Sequence, residues 1–64
     1  MRYEVQLDCK GENSRIEIID AESDSEAHNN AKAWARSLEI PLGECWLIVK
    51  NADGRFKTFK PSEL

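Results

Sequence analysis

Residues 15–38 read RIEIIDAESDSEAHNNAKAWARSL, and the change of rhythm inside this stretch decides the fold. At its start Ile16 and Ile18 alternate with Arg15 and Glu17, the period of two that a half-buried strand requires. Ile19 breaks the polar side of that strand. From Ser23 onward the period becomes helical. Ala27, Ala31, Trp34, Ala35 and Leu38 share one face, with Glu26, Asn29, Asn30, Lys32 and Arg36 largely outside it. Ser23 followed by Glu26 is a capping box, and Asp24 and Glu26 sit where the helix dipole favours negative charge. A helix over roughly Asp24 to Leu38 is therefore predicted, with an alanine face that lets it lie close to a sheet.

The flanks supply the rest of that sheet. Upstream, Tyr3, Val5 and Leu7 alternate with Arg2, Glu4 and Gln6, and the polar segment Asp8 to Ser14 returns the chain into the Ile16–Ile18 strand as a hairpin. Tyr3, Val5, Leu7, Ile16 and Ile18 are expected to face the helix. Downstream, Pro41 disfavours helix at Ile40 and ends it. Cys45 to Val49 is apolar at every position, as a central strand would be. Asn51-Ala52-Asp53-Gly54 reads as a type I turn with Gly54 in the left-handed position, leading to a fourth strand from about Arg55 to Lys60 that Pro61 ends.

If the helix crosses the sheet once, placing the third strand beside the first makes every neighbour antiparallel, the commoner arrangement. The predicted fold is a single α+β domain over residues 1–64, ββαββ, with a four-stranded antiparallel sheet in the order 2-1-3-4 and one helix on one face. The other face is left to solvent or a partner.

A chain of 64 residues has a thin core, and small domains usually add a disulfide, a metal or a partner subunit. Cys9 and Cys45 belong to no C-x-x-C or Cys/His cluster, and a free pair of thiols in a reducing cytosol is expected, with Cys45 as a small core residue. No basic-then-apolar leader and no long apolar run is present, so a cytoplasmic protein without a membrane span is expected. With metal and disulfide set aside, self-association is the leading candidate for extra stability. The net charge of −3 argues against a general binder of nucleic acid or anionic membrane. The charge is uneven, however: four basic residues lie between Lys50 and Lys60 against one acid, and five against eleven acids elsewhere.

Chemistry-bearing residues are few. His28 has no Cys or His one turn away and is expected on the helix surface; Asp20, Glu22, Asp24 and Glu26 lack the spacing and glycine of a calcium loop. No enzymatic activity, metal or organic cofactor is expected. The surplus apolar residues say more. Trp46 and Ile48 face one way and Leu47 and Val49 the other, and one helix cannot cover both sets. A bulged turn at Gly54 would put Phe59 beside Leu47 and Phe56 with Ile48; an unbulged loop would exchange them.

The candidate binding residues are Trp46, Ile48, Lys50, Arg55, Phe56, Lys57 and Phe59. The expected role is a homodimerising or protein-interaction module using the open sheet face. The alternative is single-stranded nucleic acid stacked on the aromatics with the basic residues on phosphates. The third possibility is that Trp46 and its neighbours pack under the loop around Ile40 or the chain end at Leu64. The string Ile18–Ala27 is similar to the strand-to-helix junction of many small bacterial proteins, HicB-like antitoxins among them. It covers about a quarter of the chain, lacks the Pro/Gly-rich turn of such an antitoxin's second strand, and assigns no family.

Overall fold

The computed structural model describes all 64 residues. Strand β1 (Arg2–Cys9) and strand β2 (Arg15–Asp20) form the first hairpin, helix α1 (Asp24–Ser37) follows, and β3 (Cys45–Lys50) and β4 (Phe56–Phe59) form the second. A single 3-10 turn, Pro61–Glu63, closes the chain. The sheet order is β2-β1-β3-β4 with every pair antiparallel, as the sequence predicts.

The helix begins where the capping residues place it: Ser23 is extended and its hydroxyl accepts from the Glu26 amide. It ends before Pro41 acts. Leu38 caps the last turn, and Glu39 takes a positive φ of 56°, a left-handed stop made here by a residue other than glycine. Ala27, Ala31 and Ala35 are fully buried against Tyr3, Val5, Leu7, Leu47, Val49 and Phe59. Trp34, Leu38, Ile40 and Leu42 pack half-buried around the margin.

Three expectations need correction or are resolved here. Ile16 and Ile18 do not face the helix. The register Tyr3↔Ile19, Val5↔Glu17, Leu7↔Arg15 turns Ile19 inward and leaves Ile16 and Ile18 60 % and 51 % exposed on the open side. The run Ile18-Ile19 permits either parity, and the one adopted sends Ile19 and the buried Ala21 to the core just before the helix starts. The alternative left open in the second hairpin resolves as the bulged turn. Gly54 has φ 91°, its amide donates to the Asn51 carbonyl, and Phe59 lies opposite Leu47.

The cysteines are not free. β1 runs on past Leu7, so Cys9 stands directly opposite Cys45, and the two form a disulfide. They occupy a position without mutual backbone bonds: the Cys45 amide donates to Leu42, while the Cys9 carbonyl accepts from Glu12. With the thiols joined, the argument from free thiols for a reducing cytosol falls away.

Candidate interaction surface

The face away from the helix is assembled from alternate residues of all four strands, since residues directly opposite in a ladder share a face. One row runs Ile16, Gln6, Ile48, Thr58, and the next runs Ile18, Glu4, Lys50, Phe56. Trp46 stands opposite Asp8 at one end, and Arg2 opposite Asp20 at the other. Trp46 is 45 % exposed and shares a shallow cleft with Gly43, Glu44 and Pro61, and Phe56 is 68 % exposed, while Ile40 and Leu64 pack against the core. Arg2 and Lys50 are set among Glu4, Asp8 and Asp20, so the face carries both signs.

Of the residues expected to bind, Trp46, Ile48, Lys50 and Phe56 come together on this face. The other three do not. Phe59 is 4 % exposed and belongs to the core beside Leu47. Lys57 lies opposite Val49 on the helix side, its ammonium 5.4 Å from the centre of the Phe59 ring. Arg55 is in the turn, where it makes an exposed salt bridge to Asp53 at 3.1 Å. Of the basic residues expected to bind, Lys50 alone shares the face of Trp46 and Phe56, while Arg55 and Lys57 stand apart from it. Ile16 and Ile18 are the members of the face that sequence reading missed. The parity of Ile19 and Ala21 was the signal that could have found them.

On the helix side a shallow cleft lies between the first turn of α1 and the second hairpin, lined by Tyr3, Asp24, His28, Asn51 and Lys57 among others. The Tyr3 hydroxyl donates to Asp24 Oδ1 at 2.7 Å, and that bond to a carboxylate, with burial, raises the phenol above its usual range. His28 is half-buried rather than on the free surface, edge-on to Phe59 with ring centres 5.2 Å apart. Burial lowers its pKa, Asp24 opposes that, and Lys57 and Lys32 reinforce it. The Lys32 ammonium stands 4.5 Å from the same Phe59 ring. No three metal-ligating side chains cluster anywhere, and no helix is long and apolar enough to cross a membrane.

Fold and surface together define the chain as a small α+β domain with a half-covered antiparallel sheet. Compared with protein-family models, curated proteins and solved structures, it matches none.

Proposed function

We propose that this domain is a non-enzymatic protein-interaction module whose working surface is the open sheet face, and that its simplest occupant is the same face of a second copy. One observation carries the reading: Ile16, Ile18, Trp46, Ile48 and Phe56 all stand on the side the helix leaves bare, four of them exposed. Trp and Phe are the residue types that anchor such contacts. The balance of charge supports a second copy over a polyanion, because a face carrying both signs neither repels itself nor attracts phosphates.

Sedimentation across a dilution series tests this, with Trp46→Glu as the variant. Association that weakens about tenfold or more in Trp46→Glu supports the reading. Association unchanged by Trp46→Glu refutes it, as does a salt-sensitive tryptophan fluorescence change with single-stranded oligonucleotides in its place.

A further inference from the structure

The two edges of the sheet are complementary to one another. Reciprocal bonds between Met1 and Ala21 set the alternation of the β1–β2 ladder, so the backbone groups of Ile16, Ile18 and Asp20 point outward from β2. At the other edge the Asn51 amide donates to the Arg55 carbonyl, which sets the β3–β4 ladder and turns the backbone groups of Phe56 and Thr58 outward. An unpaired edge of this kind is a template for another strand. Met1, Ile16, Ile18, Trp46 and Phe56 are the exposed large apolar side chains, and three of the five lie on these two edges.

Translating a copy sideways within the sheet plane brings its β2 alongside β4, antiparallel, with both helices on the same side. Only one register then satisfies the charges. Setting Glu17 of the second copy opposite Lys57 places Ile18 opposite Phe56 and Ile16 opposite Thr58. The outward backbone groups meet as two hydrogen-bonded pairs, and the charged residues occupy the closer, unbonded position between them. A slip of two residues sets Lys57 against Arg15 or Ile19 instead. Glu17 and Lys57 share the helix side of their own sheets, opposite Val5 and Val49 respectively, so the pair forms on that side. Four strands span about 19 Å at a spacing of about 4.8 Å. A helix about 10–12 Å across therefore leaves room for its neighbour.

We infer that this chain assembles head to tail, β4 of one copy receiving β2 of the next, with Lys57 and Glu17 as the pair that sets register. The inference is independent of the open face, since it uses the edges. In the free chain the Glu17 carboxylate accepts from the Ile18 amide at 3.1 Å, occupying one of the β2 donors. On assembly that amide passes to the Phe56 carbonyl and the carboxylate turns to Lys57. The contact is heterologous, so it propagates into a filament or closes as a ring. A two-fold β2–β2 contact centred on Ile16 would also set Arg15 against Glu17. It overlaps only residues 15–17 of each strand, though, and leaves β4 bare, whereas the β4–β2 contact pairs all four residues of β4.

Charge exchange separates these possibilities. In light scattering and sedimentation at low salt, the wild type gains mass with concentration, while Lys57→Glu and Glu17→Lys each shift half-assembly to at least tenfold higher concentration. An equimolar mixture of the two folded variants, or the double variant, restores assembly, because each reversed edge then meets its complement. The association that persists in Trp46→Glu is still shifted by adding Lys57→Glu, which distinguishes the edge contact from association through the face. The inference is overturned by a wild type that stays monomeric at millimolar concentration. It is equally overturned by Lys57→Glu associating like the wild type, as a β2–β2 dimer would, or by a mixture of the single variants that fails to assemble.

Discussion

The two hairpins have nearly the same strand–turn–strand plan, yet they specify themselves in different ways. In the second, β3 is apolar from Cys45 to Val49 and the turn is defined by its residues: Gly54 takes the left-handed position and the Asn51 side-chain oxygen accepts the Arg55 amide at 3.0 Å. Its outer strand delivers Phe59 to the core. The first hairpin leaves a longer stretch unpaired, Asp8 to Ser14 beyond Leu7↔Arg15 against Asn51 to Arg55 beyond Lys50↔Phe56, and its outer strand delivers only Ile19, half-buried, while Ile16 and Ile18 remain on the open side. A tight turn fixes register locally; a loose one leaves it to burial.

The disulfide is the strongest link between the two hairpins, and removing it is the largest expected perturbation. It closes a sequence separation of 36 residues. In the chain-entropy model that is worth about 4 kcal/mol, comparable with the roughly 3–5 kcal/mol a core of this size supplies. Reduction, or replacement of both Cys9 and Cys45 by Ser, is therefore expected to shift the urea midpoint far down or to abolish the folded baseline. A midpoint unchanged by reductant would show that the hairpins hold together without it.

Truncation of the outer strands sharpens the contrast. Phe59→Ala removes a buried ring flanked by His28 and Lys32 and is expected to cost about 3 kcal/mol or more. Ile19→Ala is expected to cost about 1 kcal/mol, and Ile16→Thr or Ile18→Thr less than about 0.5 kcal/mol. Equal losses at Phe59 and Ile18 in chemical denaturation would mean that β2 is packed as β4 is. An effect between those of Ile19 and Ile18 belongs to the turn: Asn51→Ala deprives the Arg55 amide of its acceptor, for a loss of about 0.5–1 kcal/mol.

These differences explain what could be read in advance. Ser23 and the spacing of the alanines announce the helix because caps and helical periodicity are local, and chain direction then yields the order 2-1-3-4. The surplus of Trp46 and Ile48 is legible too, since a strand apolar on both sides under a single helix must leave one side bare. Side-chain parity is not local wherever two apolar residues adjoin, as Ile18 and Ile19 do. The Cys9–Cys45 pairing is a statement about register between strands distant in sequence, and taking Cys9 as loop hid it. The same limit divided the candidate site: Phe59 and Phe56 cannot be assigned to faces until the bulge at Gly54 is known.

The smallest expected effect separates the hairpins by pH. In the first, the Asp8 carboxylate accepts from Gln6 Nε2 at 2.8 Å and from the Ser14 hydroxyl across the loop, and these bonds hold its pKa below the usual 3.8. Beside the second, burial against Phe59, with Lys57 and Lys32 near and Asp24 opposing, holds His28 below its usual 6.5. Both groups bind protons more weakly folded than unfolded, so both favour the unfolded chain on acidification. The histidine's contribution is complete above its unfolded pKa and is lost as pH falls from about 6.5 through its lower folded value. The aspartate's is retained over that range and is lost only below about 3.8. Urea unfolding between pH 8 and pH 3 should accordingly show two separate declines. His28→Gln should remove the upper one and leave the lower, and Asp8→Asn the reverse. A single decline abolished by either substitution would show that the hairpins titrate as one unit and would break the distinction drawn between them.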